Sequence, residues 1–419
     1  MILEIRFSNF FSIKDEIILD MRAGNIKSKT VQTLDQNTFE FNGEKLLKTV
    51  ALYGANASGK SNIIKAINFC CAMVFQSQNH TENTTFNFVP FKFNGYQNQA
   101  STFFIRFVCK NIEFEYSFSL TQTEIQNESL YYYPNSRKAL VFSRNETVKG
   151  SKKEKYSFGS AIKRPFDVAE NTSVKTLYIS RASQLDRELA TDIFMFFANT
   201  FILGFPLIDN SIIEKLYNEN RNVLLLALQK ADSDIVNIQM SKQEINMKAV
   251  NTVFPQNIAT INDQKGIQLR FTTFHKEAPD VPFDFLTEES EGTKKLFVML
   301  LTIVDIIKNN KILIVDEIET SLHSEILEFV LSMFHAGNSA QLIFSTHNTN
   351  ILDLKKMRKD QIYFVNKKSD ASSDLYSLID FKDFRESMNA EKAYLEGRFD
   401  AVPFVDTSVN NLKSLIYES

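Results

Sequence analysis

Apolar residues follow more than one period along this chain. At the start, Met1-Ile2-Leu3-Glu4-Ile5-Arg6-Phe7 alternates as a strand does, and Ile17 to Met21 reads as a second strand, joined to it through Asn9-Phe10-Phe11-Ser12. Thr49-Val50-Ala51-Leu52-Tyr53 is a short continuous apolar run, the pattern of a buried strand, and Asn62 to Ile67 opens a helix behind it. Gln76 to Thr85 is polar and predicts a loop. From Phe86 to Phe142 the period is two, rich in aromatics, as in Phe103-Phe104-Ile105-Arg106-Phe107-Val108, which predicts an antiparallel sheet. Residues 172–235 lose that alternation, and Ile193, Phe196, Phe197 and Thr200 fall at helical spacing. Gly266 to Phe274 returns to a strand, and from Leu296 onward helices and strands alternate as in an α/β core. No heptad run suggests a coiled-coil arm, and no internal repeat is visible.

The link between the buried run and its helix carries chemistry. It reads Gly54-Ala55-Asn56-Ala57-Ser58-Gly59-Lys60-Ser61, a complete P-loop, with Asn62 behind it. Gly54 and Gly59 let the backbone curl so that successive N–H groups point inward as an anion nest, and the helix start adds partial positive charge. Lys60 reaches the β- and γ-phosphates, and the Ser61 hydroxyl is placed to ligate Mg²⁺. The expected cofactors are ATP and Mg²⁺.

Three further elements suit the same chemistry. Lys311-Ile312-Leu313-Ile314-Val315-Asp316-Glu317 is a buried strand delivering two acids to its tip, where ligands sit in open α/β sheets. Asp316 is suited to hold Mg²⁺ and Glu317 to polarise the attacking water. Gln341 to Phe344 is another apolar strand, ending in Ser345-Thr346-His347-Asn348 and expected beside the Asp316 strand. His347 is therefore placed as a γ-phosphate sensor. In Leu286 to Lys295, Ser290 and Gly292 stand before a helix starting near Thr293. Alone that would be a helix cap; beside a P-loop it is a second phosphate-binding helix start.

In this order the motifs resemble the ABC-type ATPase heads of the SMC/RecF/OLD superfamily. Leu3 to Phe10 and the Gly-Lys-Ser-Asn ending at Asn62 resemble it too. Ala393-Tyr394-Leu395-Glu396-Gly397-Arg398-Phe399-Asp400-Ala401-Val402-Pro403-Phe404 is similar to the terminal motif of bacterial stand-alone OLD-like ATPases, many found in abortive-infection and other anti-phage loci. That family has glycine where Asp400 stands.

The resemblance implies an α/β fold, an ABC-type P-loop head with an antiparallel β lobe and an inserted helical region. Its expected parts are 1–75 (N-terminal strands and P-loop part of the core), 76–165 (β lobe with a basic hairpin), 166–260 (helical insertion) and 261–419 (the remaining motifs). Ser290, Glu291, Gly292 and Thr293 correspond to the signature, facing the γ-phosphate held by a second copy, and Glu319 to His323, with Ser321, Leu322 and His323, match the D-loop. A homodimer or higher homo-oligomer closing around ATP follows, as does a separately encoded effector, a nuclease or toxin, under its control. A RecF-like DNA-repair clamp is the alternative. Gln76 and Gln78 are Q-loop candidates by position only. Asp370, Asp374, Asp380 and Asp383 are scattered without the arrangement of a TOPRIM nuclease, so the chain is not expected to cleave nucleic acid itself.

Charge and composition sharpen this picture only locally. A net charge of −3 gives no global attraction to DNA or to anionic membranes. Arg137 to Arg164 is the exception, with Arg137, Lys138, Arg144, Lys149, Lys152, Lys153 and Lys155 followed by Lys163 and Arg164. It reads either as a solvated hairpin or as a surface for nucleic acid or an acidic partner. Tyr131-Tyr132-Tyr133 precedes it, and at least one of the three is expected in the core. Lys355 to Lys359 is a second basic run, expected on a helix face near His347. Cys70, Cys71 and Cys109 have no metal-binding spacing and suit reduced thiols in a cytoplasmic protein. No stretch approaches the length of a membrane span.

Overall fold

The computed structural model describes residues 1–26, 32–205, 209–231, 234–253, 258–321, 324–385 and 387–402. Two compact units divide the chain: Met1–Gly204 with Asn310–Thr320 and the stretch from Leu331, and Phe205–Asn309 with Ser321–Val330.

The first unit opens with β1 (Ile2–Ser8) and β2 (Ile17–Asp20), the small hairpin β3 (Thr38–Phe41) and β4 (Glu44–Leu47), then β5 (Thr49–Gly54) and α1 (Lys60–Gln76). Next come β6 (Ser101–Cys109), β7 (Ile112–Leu120), β8 (Ile125–Tyr132), β9 (Ala139–Asn145), α2 (Lys152–Lys155) and β10 (Tyr156–Phe158). The antiparallel sheet runs β10-β9-β8-β7-β6-β1-β2. The N-terminal strands thus join the β lobe rather than the sheet that carries the P-loop. Their alternation suits this, because a strand with apolar residues on one face and Glu4, Arg6 and Ser8 on the other fits an antiparallel sheet better than a parallel one lined by apolar residues on both sides. One register row, Ile5–Ile105–Tyr116–Leu130–Phe142, crosses five strands and is buried throughout.

Three helices follow, α3 (Pro165–Glu170), α4 (Tyr178–Gln184) and α5 (Glu188–Thr200), before the short β11 (Phe201–Leu203). The helical stripe read from Ile193, Phe196 and Phe197 docks on the sheet, with Phe107 stacked 5.0 Å from Phe196 and edge-on to Phe197 at 5.4 Å. Truncating the fully buried Phe197 to Ala would cost about 3–5 kcal/mol. Residues 166–204 therefore belong to the first unit, and the proposed boundary at 166 does not separate an insertion.

The second unit holds α6 (Asn210–Lys230), β12 (Ile235–Val253), β13 (Ile258–His275), β14 (Ala278–Asp284) and α7 (Glu291–Lys308). Its strands correct the expected helical insertion, because helix ends at Lys230 and a long ribbon begins at Ile235. The ribbon pairs from Ile235↔His275 to Val253↔Ile258. Ile238 is buried, Gln239 exposed, Met240 half-buried and Ser241 exposed, so the period is two and continued helix is excluded. Residues 261–309, expected within the ATPase core, group with this unit.

The chain closes with β15 (Ile312–Val315), α8 (Ser324–Ala336), β16 (Gln341–Ser345), β17 (Ile362–Lys367), β18 (Ser373–Ser377) and α9 (Ala390–Leu395). The second sheet of the first unit runs β11-β15-β16-β5-β17-β18, with every neighbouring pair parallel except β17 and β18. The strands β5, β15 and β16 are buried along their whole length, as parallel strands covered on both faces must be. Their C-terminal tips share one edge, the ligand edge of an open parallel sheet. The expected α/β fold, a parallel P-loop sheet beside an antiparallel lobe, is present.

Candidate nucleotide site

The P-loop is held by close backbone approach. At Gly54 an added Cβ would lie 2.4 Å from Val365 O. Gly59 sits at φ +117° as the cap of α1, and a Cβ there would lie 2.1 Å from Ser373 Oγ. Glycine is required at both. Ala57 also has positive φ, and Asn56 and Ala57 are exposed at the loop's turn. From β18 the Ser373 hydroxyl donates to Ser58 O (2.6 Å) and pairs with Ser12 Oγ (2.7 Å). Asn62 Nδ2 donates to that same Ser12 oxygen (2.7 Å). The Asn62 side chain, expected at the nucleotide, thus braces the loop from behind.

The Lys60 ammonium donates to Gly54 O (2.9 Å) and Ala55 O (3.1 Å). Burial pushes its pKa down, opposed by the charges of Asp316, Glu317 and Glu319, which puts all three acids within electrostatic reach of Lys60. Ser58 Oγ is buried without a protein hydrogen-bond partner among the described residues.

Between β15 and β16 a single hydroxyl organises the acids. Ser345 Oγ donates to Asp316 Oδ1 (2.5 Å) and accepts the Glu317 N–H (2.7 Å). Glu317 adopts φ +47°, uncommon for a residue with a Cβ. Its carbonyl accepts from Thr320 N–H and hydroxyl, both at 2.9 Å, so the peptide is held on both sides. Strain fixed in this way is typical of functional positions. Asp316 and Glu317 are exposed at the tip and available to a ligand.

Glu319, expected only as the start of the D-loop match, links the acid turn to the histidine turn. Its Oε1 accepts the His347 N–H, while Oε2 is buried without a partner among the described residues. Tyr53 OH donates to Asn348 O (3.2 Å) on the same turn. His347 itself is exposed beyond β16, beside the Asp316 strand as expected.

A curled backbone nest, a lysine over it, an orphaned buried hydroxyl and acids facing that lysine fit a nucleoside triphosphate with Mg²⁺. Ser61 and Asp316 would hold the ion, which when bound neutralises phosphate charge.

In the second unit Ser290 caps α7, its Oγ accepting the Thr293 N–H (3.0 Å) and lying 2.8 Å from Thr293 Oγ1. Glu291 pairs with Lys294 (2.9 Å). An added Cβ at Gly292 would meet only Ser290 Oγ, at an ordinary 3.6 Å. Of the D-loop residues, Ser321 ends a 3-10 turn, and Leu322 and His323 lie outside the described residues.

Several expectations need correction. Gln76 ends α1, about 24 Å along the helix from Lys60, so neither it nor Gln78 suits a Q-loop. The strand on the far side of β15 is β11, which leads to Gly204, and no glutamine follows up to Asn210.

The basic segment is consumed internally in part. The Arg144 side chain is wholly buried against Glu128 (3.5 Å) and Glu146 (2.9 Å) and donates to Ser173 O and Thr176 O. Lys152 and Lys155 both reach Glu146, and Lys138 reaches Glu115. Arg137, Lys149 and Lys153 remain exposed. Tyr131, Tyr132 and Tyr133 are all half-buried, none fully in the core. The second basic run is a turn rather than a helix face, with Met357 buried and Arg358 buried on Asp360.

Asp370 pairs with Lys14 and Asp374 with Lys368, and Asp380 accepts the Ser377 N–H. Among the described residues no three His, Cys, Asp or Glu side chains cluster as a metal site. The cysteines are free and buried, and burial pushes the Cys70 thiol up to about 12. No described helix is long and apolar enough to cross a membrane.

The terminal motif packs behind the P-loop. Tyr394 of α9 lies edge-on to Tyr53 at 5.8 Å, and Phe399 stacks on Phe364 at 4.6 Å. Pro403 and Phe404 lie outside the described residues.

Residues 50–353, from the P-loop strand past His347, match the family described as "AAA domain, putative AbiEii toxin, Type IV TA system". The chain belongs to this AAA-domain family. No curated protein matches it. Among solved structures it is similar to the SMC head domain from Thermotoga maritima, at 14% identity and TM-score 0.41, covering 90% of this chain and 98% of that one. An SmcHead bound to the C-winged helix domain of ScpA gives 14% and 0.41, covering 94% and 99%. An Smc head domain with an extended coiled coil, bound to the C-terminal domain of ScpA derived from Pyrococcus furiosus, gives 15% and 0.39, covering 95% and 98%.

Proposed function

We propose that this AAA-family chain is a Mg²⁺-dependent ATPase that closes on a second copy around ATP. In the cell it acts as the sensor or scaffold of an OLD-like anti-phage system, holding a separately encoded nuclease or toxin in check. The observation that carries the ATPase is the shared sheet edge, where the P-loop with Lys60 follows β5, Asp316 and Glu317 follow β15 with only β16 between, and the Glu317 peptide is held at positive φ. Lys60 and the loop N–H groups bind the phosphates, Glu317 takes a proton from the attacking water, and His347 meets the γ-phosphate.

Closure with a second copy is supported by the signature turn. Glycine in the first turn of α7 weakens the helix by up to about 1 kcal/mol, and no packing among the described residues calls for it at Gly292. A phosphate approaching the Ser290 cap from outside would. The family description, with its toxin and type IV toxin–antitoxin wording, supports the defence role. A RecF-like DNA clamp has less support now that Arg144, Lys152 and Lys155 are engaged internally.

The test is ATP turnover by the purified chain, with and without linear duplex DNA, beside Glu317→Gln and Lys60→Ala. Glu317→Gln should bind ATP, lose turnover and accumulate dimers, while Lys60→Ala should lose binding. Equal turnover in wild type and Glu317→Gln would sink the assignment. Strong stimulation by DNA would favour the clamp.

A further inference from the structure

The signature turn is tied down at both ends by carboxylates. At its start Asp284 accepts the N–H groups of Leu286 and Thr287 (both 3.1 Å) and the Thr287 hydroxyl (3.0 Å), while Arg270 pairs with its other oxygen. At its end stands Glu289, immediately before the Ser290 cap, with only 7% of its side chain exposed. Glu289 Oε1 accepts from His275 Nε2 (2.8 Å) and from the Thr273 hydroxyl, both on β13. The other ring nitrogen of His275 faces Asp234 Oδ1 (2.9 Å), just ahead of β12. From β14 the ring is met by uncharged Phe283, edge-on at 4.7 Å.

Each nitrogen of His275 therefore points at a carboxylate oxygen, and carboxylates accept hydrogen bonds. A neutral imidazole has one donor and leaves one contact unmade; the imidazolium makes both. Burial works to lower the pKa of this histidine, but the bonds to Asp234 and Glu289 outweigh it, and the net shift is upward from 6.5.

Resting on the ATP-sandwich reading above, we infer that the imidazolium of His275 positions the signature turn by clamping Glu289 to the ribbon, and that closure around ATP weakens when that ring loses its charge. His275 touches no nucleotide; it acts through Glu289 on Ser290. The clamp also makes the base of the β12–β13 ribbon a control point, since both residues that grip Glu289 stand at the end of β13 and Asp234, just ahead of β12, holds the His275 ring.

The experiment is ATP-driven dimerisation of the full chain in the Glu317→Gln background, followed by analytical ultracentrifugation from pH 6 to 9. Binding of a fluorescent ATP analogue to the P-loop reports folding of each variant. The dimer should weaken about 10-fold across that range, the scale of one lost charged hydrogen bond. His275→Gln should be weak throughout without that slope, and His275→Lys, which keeps the charge, should be tighter than His275→Gln and equally flat. An unchanged slope in His275→Gln overturns the inference. Ser290→Arg separates the two levels: if it abolishes closure while His275→Gln keeps the wild-type slope, only the clamp fails. If Ser290→Arg has no effect, the sandwich reading fails with it.

Discussion

The Ser345 hydroxyl donates to Asp316 and at the same time accepts the N–H of Glu317. One side chain on β16 thereby orients the residue suited to the metal and the residue suited to the water, both at the tip of β15. Removing it frees an acid whose direction matters more than its presence. Ser345→Ala should lower turnover about 10- to 100-fold, the usual effect of losing a group that orients a ligand, with ATP binding retained. Turnover within twofold of wild type, measured at saturating Mg²⁺, would show that the strands alone hold both acids.

Glu319 joins the acid turn to the histidine turn through the His347 N–H. Glu319→Ala would release the backbone of His347 while leaving its imidazole in place. The expected result is a loss of turnover of about 10-fold or more, from one charge-assisted hydrogen bond, at nearly unchanged affinity for ATP. A matching loss in His347→Ala, with no further loss in the double variant, would place both residues in one unit.

The elements of the candidate site were readable wherever they lay on contiguous residues. The P-loop, the Asp316 tip and the His347 tip each end an unbroken apolar run, and the buried parallel strands confirm why such runs exist. What depended on register was not readable. Arg144 counts as one more positive charge in a basic stretch until β8 pairs with β9 and sets it opposite Glu128. Glu319 acquires a partner only because β15 and β16 are neighbours. Half of the ribbon was readable, since Gly266 to Phe274 falls on β13; β12 was missed because the polar run Ser241 to Glu244 separates Ile238 and Met240 from the alternation of Ile245, Met247 and Ala249.

Asp400 sits at φ +52°, where the resembling family carries glycine. Its N–H donates to Gly397 O (3.1 Å), closing a turn that keeps Phe399 against Phe364. Left-handed backbone costs a residue with a Cβ about 1–2 kcal/mol, less for Asp, and the flexibility of glycine in the unfolded chain offsets part of any gain. Asp400→Gly should therefore stabilise by about 0.5 kcal/mol, whereas β-branched Asp400→Val should destabilise by more than that. Chemical denaturation of the pair decides; equal midpoints would mean that the turn is not held at positive φ.

Acid should weaken the far end of the same sheet. His335 is buried, with Nε2 3.0 Å from Thr49 Oγ1, while Lys48 donates to the His335 carbonyl. Burial, helped by the charge of Lys48, lowers its pKa from 6.5 to about 4. The folded state therefore keeps the ring neutral over a range where the unfolded chain takes up a proton. Between pH about 6.5 and about 4 the unfolded state binds more protons, so stability falls as pH falls, and the contribution is complete above 6.5. A shift of this size corresponds to about 3 kcal/mol at most. His335→Gln, which keeps a hydrogen-bonding side chain without a titrating ring, should lose that slope in urea midpoints taken at pH 7.5, 6 and 5. If wild type and His335→Gln lose stability in parallel, the ring is not held neutral and other groups carry the acid sensitivity.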